Sequence, residues 1–172
     1  MKIISFGELT AEEKKEIYKA FVRFHKEHGT MPKIKEKGLT LSWFENFRDD
    51  ATVHNKFVEI VWAPVRQHYL DAKELKTIET CIKASIETIK FAEQFYYSKN
   101  KKFRWIGHCS IFNEFDYVFT QINSFYKDLE SCPTILKEEF RELWLSHKDV
   151  TTTGIGWFHT ITDKHKDFFP DR

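Results

Sequence analysis

Residues 110–129 read SIFNEFDYVFTQINSFYKDL, and their apolar side chains recur at the period of an α-helix. Six of them follow alternating steps of four and three residues and so form one stripe along a helix: Ile111, Phe115, Val118, Ile122, Phe125 and Leu129. Three more rings widen this stripe: Phe112, Phe119 and Tyr126. A helix this rich in aromatic side chains needs neighbours on more than one side, so the stretch predicts the central helix of a helical domain.

The N-terminal part of the chain predicts a second helix, and both of its ends are marked. Thr10 with Glu13 forms a capping-box pattern, and Gly29 suits the position just past a helix end. We therefore predict a helix at residues 11–28. Its apolar stripe, which we expect to be buried, consists of Ile17, Ala20, Phe21 and Phe24.

Residues 30–70 predict less regular structure. Residues 30–38, TMPKIKEKG, have the composition of a basic loop. Ser42 with Glu45 predicts the cap of a short helix that carries three rings, Trp43, Phe44 and Phe47. Within residues 51–70 the apolar spacing favours a helix broken near Pro64, because proline removes a backbone donor. The segment FVEIVW inside this range is also typical of a strand, so both interpretations stay open.

The clearest helical pattern lies at residues 71–97, before the central helix. Asp71 with Glu74 marks its start, and its apolar face comprises Leu75, Ile78, Ile82, Ile86, Ile89 and Phe95. We expect residues 98–102, SKNKK, to form a turn and residues 103–109 to lead into the central helix. The two long helices should then pack as an antiparallel pair.

After the central helix, Pro133 predicts the first turn of a helix that ends near His147, with Ile135, Leu136, Phe140, Leu143 and Trp144 on its buried face. Residues 150–172 predict an irregular tail, and residues 1–9 predict an N-terminal arm. The β-prone WFHTIT at 157–162 can pair with the N-terminal IISF as a small two-stranded element. The chain as a whole is predicted to be mainly α, a single domain over residues 1–172 that forms a bundle of about five to six helices.

Charge balance and cysteine usage restrict the class of protein. With 27 basic and 26 acidic residues, the chain has no overall field that would hold nucleic acid or a membrane. Three widely spaced cysteines, Cys81, Cys109 and Cys132, indicate a reducing compartment rather than a disulfide framework. The sequence contains neither a signal-peptide pattern nor a stretch that could span a membrane. We therefore expect a cytoplasmic protein that does not bind membranes.

Metal, nucleotide and thiol chemistry have little support from motifs. No Glu precedes a His by three positions, as a di-iron bundle requires, and the pair His25 and His28 suits the dipole of a helix end better than a metal site. The lone Gly-x-Gly at 154–156 is typical of a turn. Cys109 follows His108 near the predicted start of the central helix, where a thiol can be activated, but adjacent helical residues diverge and a buried thiol is favoured. We expect no metal and no cofactor.

Residues 48–54, RDDATVH, resemble the Arg-x4-6-His motif of the HEPN superfamily, whose members are small all-helical domains that often act as metal-independent RNases. The resemblance implies that Arg48 stabilises phosphate charge and that His54 acts as general acid or base at a 2′-hydroxyl. The same spacing occurs again from Arg141 to His147. An RNase, or an inactive relative of one, is therefore one hypothesis for the function.

Residues 95–105, FYYSKNKKFRW, interleave rings and cations, a pattern that suits stacking on unpaired bases together with phosphate contacts. The side chains that this second hypothesis uses are Tyr97, Lys99, Lys101, Lys102, Arg104 and Trp105. A solvated turn between two helices, flanked by core rings, would produce the same letters and is the favoured interpretation. Binding of single-stranded nucleic acid therefore stays an alternative.

The leading hypothesis is a protein-binding function without catalysis. A ring-rich and charge-balanced chain suits an inhibitor that occupies the surface of a partner protein, as immunity, antitoxin and phage-antagonist proteins do. Aromatic side chains in short or irregular segments are the predicted anchors of this contact: Trp43, Phe44, Trp157 and Phe158.

Overall fold

The computed structural model describes residues 9–47, 77–124 and 132–153, and these ranges form helices without any strand. In chain order the helices are α1 (Ala11–Glu27), α2 (Met31–Glu36), α3 (Leu41–Asn46), α4 (Thr77–Tyr96), α5 (Lys101–Ser124), α6 (Thr134–Ser146) and α7 (Lys148–Thr153). The predicted mainly α helical bundle is confirmed. The predictions for residues 51–70 and for the β element at 157–162 lie outside the described residues.

Both predicted ends of α1 are confirmed. The Thr10 hydroxyl accepts a hydrogen bond from the Glu13 backbone at 3.1 Å, and the Glu13 carboxylate accepts one from the Thr10 backbone at 2.9 Å. These two bonds satisfy donors that a helix start leaves without partners. Gly29 follows the helix with φ of 67°, a conformation that glycine adopts without steric cost. The four predicted stripe residues of α1 are all buried.

Two predictions for the following segment were wrong. Residues 31–36 form α2 and are not part of a loop, because Pro32 fits a first helical turn and Ile34, 2% exposed, is buried in the core. Thr40, and not Ser42, caps α3, since its hydroxyl accepts from the Trp43 backbone at 3.2 Å. Lys14 of α1 then holds the end of α3 by donating to the Glu45 carbonyl at 3.0 Å.

The predicted antiparallel pair of long helices is confirmed as α4 and α5. Cys81 near the start of α4 lies 3.6 Å from the Tyr117 hydroxyl, while Ser85, one turn later, donates to Glu114 at 2.9 Å. The partner residue number falls as the α4 number rises, which is the register of an antiparallel pair. Near the turn, Gly107 lets the α5 backbone approach the end of α4 closely.

Helix α5 begins earlier than the sequence predicts. The side chain of Asn100 accepts from the backbone of Lys102 at 2.9 Å and of Phe103 at 3.3 Å, so it caps the helix at this point. Residues 103–109 are therefore helical rather than a lead-in, and the central helix extends back to Lys101. Three residues of its predicted stripe, Ile111, Phe115 and Val118, are fully buried, and Ser110 and Glu114, which lie off the stripe, are fully buried as well.

The buried side chains form two apolar clusters, and the α4–α5 pair contributes to both. The first cluster joins α1, α2 and α3 to the turn end of the pair, where Phe95, Phe103 and Ile106 belong to it. The second cluster joins the rest of the pair to α6 and α7 through Phe140, Trp144 and Val150. The pair thus contributes to both clusters, while α2 and α3 pack mainly on α1.

The C-terminal helices differ in detail from the predictions. Ile135 was predicted to be buried but is 74% exposed, because it lies in the first turn of α6, away from the side that carries Phe140 and Trp144. Helix α7 extends to Thr153, so the described part of the predicted tail is helical. Within the described ranges, no helix is both long enough and apolar enough to cross a membrane.

Candidate functional site

The α4–α5 turn carries the cations and the ring that the sequence predicts for nucleic-acid binding. We call residues 97–104 the basic turn. Its exposed ring is Tyr97, at 64%, and the cations Lys99, Lys101 and Arg104 are exposed as well. The Tyr97 ring lies edge-on to the Tyr96 ring, with centroids 4.9 Å apart. An aromatic surface and three positive charges therefore occur together at one end of the helix pair.

The basic turn is fixed in place by Glu13 of α1. The amide of Asn100 donates to one oxygen of the Glu13 carboxylate at 2.6 Å, and the Lys102 ammonium donates to the other at 3.0 Å. Within the turn, the Ser98 hydroxyl accepts from the Asn100 backbone at 3.1 Å. These contacts hold the turn against the start of α1, so that its exposed side chains project from a rigid base.

The pKa of Glu13 reflects this arrangement. Partial burial raises the pKa of the carboxyl, but hydrogen bonds from Asn100, the Thr10 backbone and Lys102 outweigh it and lower the pKa to about 2. Glu13 is therefore ionised throughout the physiological range. Its negative charge neutralises Lys102 and leaves the other cations of the turn to solvent.

Two of the six residues predicted to contact nucleic acid are placed elsewhere by the structure. Lys102 is half-buried in its ion pair with Glu13. Trp105 is buried inside the fold, where its ring stacks on His108 at 5.4 Å with an interplanar angle of 11°. Neither side chain projects from the turn, because each faces a neighbouring part of the fold. The surface that could contact a ligand consists of Tyr97, Lys99, Lys101 and Arg104.

A cleft of about 270 Å³ lies beside the basic turn, between α1 and the end of α4. We call it the α1 cleft. Its apolar floor includes Ala20, Phe95 and Phe103, and its polar rim includes Glu16, Lys19, Arg23 and Gln94. Sequence reasoning missed this site. The one signal that could have indicated it was the pair Lys19 and Arg23, which lie four residues apart and so share a face of α1.

The predicted protein-binding anchors are only partly described. Phe44 is fully buried and packs on Phe21, with ring centroids 4.9 Å apart, so it is not accessible to a partner. Trp43 is half-buried, and its ring lies 4.9 Å from that of Phe47. The other two anchors, Trp157 and Phe158, lie outside the described residues.

The HEPN-like pair Arg48 and His54 also lies outside the described residues and stays a prediction. The second match to the motif ends at His147, which is fully buried. Its Nδ1 lies 2.7 Å from the Leu143 carbonyl and its Nε2 lies 3.3 Å from Glu93. This imidazole ties α6 to α4 and has no surface to offer a substrate.

The remaining candidate histidines and cysteines belong to the packed part of the fold and not to an exposed site. His25 is buried with Nδ1 2.6 Å from the Thr30 hydroxyl, while His28 holds the Phe24 carbonyl at 2.8 Å. Across the described ranges, no group of three or more metal-binding side chains occurs. Cys109 lies well inside α5 and not at its start, and burial raises the pKa of its thiol. Cys132 is likewise buried, which raises its pKa to about 11.

The basic turn and the α1 cleft offer binding chemistry: cations for anionic groups, and an exposed ring that can pack on an apolar or aromatic surface. Both lie at the end of the helix pair where α1 meets the turn. No model of a known protein family matches the chain, and neither a curated protein nor a solved structure matches it.

Proposed function

We propose that this chain is a binding protein that acts by occupying an acidic surface of a partner protein, without catalysis. The observation that carries the proposal is Tyr97, a large ring that is 64% exposed in a turn whose cations Lys99, Lys101 and Arg104 are exposed as well. The mode of action is that of inhibitory proteins of the immunity, antitoxin or phage-antagonist type. The proposed location is the cytoplasm, supported by three buried cysteines, none of which forms a disulfide.

The physical argument rests on the properties of tyrosine and arginine at protein interfaces. Tyrosine supplies a large contact area at a small cost in side-chain entropy, and arginine forms several hydrogen bonds to carboxylates. Both residues are enriched among those that dominate binding energy. Lys99 and Lys101 add positive charge at the rim, which speeds encounter with an acidic surface and disfavours basic ones.

The proposal predicts that partner capture depends on the basic turn. The tagged protein is used to capture partners from lysate of its native host, followed by mass spectrometry. A protein enriched by the wild type should be lost with Tyr97→Ala and with the double change Lys99→Glu and Arg104→Glu. A partner found in this way is then purified, and we expect Tyr97→Ala to weaken its binding at least about tenfold, which corresponds to about 1.4 kcal/mol.

Ile135→Ala serves as the control, since Ile135 is the other strongly exposed large apolar side chain in the described residues. The Ile135→Ala variant should capture the same protein as the wild type, in a similar amount. If no protein is enriched, or if Ile135→Ala and Tyr97→Ala behave alike, the basic turn is not the contact surface.

Single-stranded nucleic acid is the second candidate, because the same ring and cations can stack on a base and contact phosphates. Binding to phosphates releases counterions, so affinity for an oligonucleotide should fall steeply as salt rises. A fluorescent single-stranded RNA titrated at two salt concentrations tests this candidate directly: absent binding, or weak binding that does not depend on salt, would remove it.

A further inference from the structure

The α1 cleft combines a cationic rim with an apolar floor. Phe95 and Phe103 are 4% and 5% exposed, and their rings meet edge to face with centroids 5.8 Å apart. Above this floor, Lys19 and Arg23 project from successive turns of α1. The cleft volume of about 270 Å³ is large enough for a small organic ligand.

Arg23 is oriented by a chain of hydrogen bonds. One of its Nη atoms donates to the Gln94 side-chain oxygen at 3.0 Å, and the Gln94 nitrogen donates to the Phe91 carbonyl at 3.0 Å. The second bond decides which end of the Gln94 amide faces Arg23, since a carbonyl can only accept. The guanidinium therefore keeps its other N–H groups available while one is held by α4. A donor group held in this way loses less entropy when a ligand binds.

We infer that the α1 cleft binds an organic anion with a planar apolar body, whose carboxylate or phosphate accepts hydrogen bonds from Arg23. The body lies on the phenyl rings of the floor, and Lys19 adds a second positive charge. Both carboxylates and phosphates can accept two hydrogen bonds from the fork of donors that arginine presents. The site needs no partner protein, so the inference does not rest on the function proposed for the basic turn, although Ser98 and Phe103 of that turn line the cleft.

The inference predicts opposite changes in anion affinity when a negative or a positive charge of the cleft is removed. Glu16 also lines the cleft, one turn before Lys19, and its carboxylate repels an anion. Removal of this negative charge should therefore strengthen binding, whereas removal of the Arg23 charge should weaken it. A variant that acts only by loosening the fold would weaken binding in both cases.

The test uses benzoate, phenyl phosphate and the neutral benzamide as probes, with NMR signals of the Arg23 Nε–H and the Gln94 side-chain amide as readouts. We expect benzoate or phenyl phosphate to shift these signals in a saturable way, and benzamide to leave them unchanged. Arg23→Gln should weaken binding of the better anion about tenfold, and Glu16→Gln should strengthen it about threefold. Comparison of the two anions tells whether a carboxylate or a phosphate is preferred.

The matched control is Lys35→Gln, which removes an exposed charge on α2 outside the cleft. It should change affinity little, and the signal dispersion of each variant reports that the fold is intact. Absence of a saturable shift with either anion would overturn the inference. So would equal binding of benzamide, or a loss of affinity in Glu16→Gln as large as that in Arg23→Gln.

Discussion

The side chain of Glu13 both caps the start of α1 and holds the basic turn in position. Its carboxylate accepts from the Thr10 backbone, from Asn100 and from Lys102. Each of these bonds favours the ionised form, so the carboxylate stabilises the fold only while it is charged. The same side chain therefore links stability to pH and fixes the orientation of the turn.

Glu13→Gln should lower the free energy of unfolding by about 1–2 kcal/mol at neutral pH, because an amide accepts these bonds more weakly. The pKa of Glu13 is lowered from 4.5 to about 2, so its contribution is complete above about pH 5 and is lost as the pH falls towards 2. Urea unfolding at pH 7 and pH 3 should show a gap between wild type and variant that narrows at the lower pH.

Glu12→Gln is the control for this prediction, since Glu12 lies in the same first turn and is exposed. It removes the same charge from the positive end of the helix dipole without breaking the cap. A difference between wild type and Glu13→Gln that stayed constant with pH would contradict the assigned role.

At the scale of helices, the close approach of α4 and α5 depends on Gly107. A Cβ added there would lie 2.7 Å from the Tyr96 Cα and 2.9 Å from the Phe95 carbonyl carbon. Both are backbone atoms, so no side-chain rotation could relieve the contact. The two helices would have to separate or shift, which would disturb the packing of Phe95 in the first cluster.

Gly107→Ala should therefore destabilise the protein by about 1–3 kcal/mol, although alanine favours an α-helix by about 1 kcal/mol over glycine. Urea unfolding followed by circular dichroism measures the change. Tyr96→Ala added to this variant should not restore stability, since the contact is with the backbone. An increase in stability for Gly107→Ala would mean that helix propensity dominates and that the two helices are not in close contact here.

The two apolar clusters raise the question of whether the whole molecule unfolds as one unit. Helices α4 and α5 run through both clusters, with Phe95 and Phe103 in the first and Ile86 and Ile111 in the second. Loss of the first cluster would remove packing from one end of both long helices and so weaken the support of the second cluster. We therefore expect the clusters to unfold together, as in a single domain.

Phe21→Ala tests this expectation. Phe21 is fully buried in the first cluster, and its truncation should cost about 3–5 kcal/mol. Trp144 in the second cluster is the reporter, observed by fluorine NMR of protein labelled with fluorotryptophan, with Trp144→Phe used to assign its signal. The urea midpoint at Trp144 should fall by the same amount as the midpoint seen by circular dichroism. An unchanged midpoint at Trp144 would mean that the clusters are independent units.

The candidate site shows where local sequence information stops being sufficient. A short polar connection between two long helices predicts exposed cations, and Lys99, Lys101 and Arg104 follow this expectation. Lys102 does not, because its ammonium group forms an ion pair with Glu13, which lies 89 positions earlier in the chain. The α1 cleft likewise depends on Arg23 and Gln94, which are 71 positions apart. No pattern within one segment could have paired these residues.

The sequence by itself determined the helical class, the start and end of α1 and the pairing of the two long helices. These features follow from apolar periodicity, capping residues and a short turn, all of which act over a few neighbouring residues. Only the tertiary structure decided that Trp105 is buried and that Ile135 is exposed, that the segment after Gly29 folds as α2, and where the cleft lies. Burial and charge pairing depend on which distant segments come into contact, and that is a property of the whole fold.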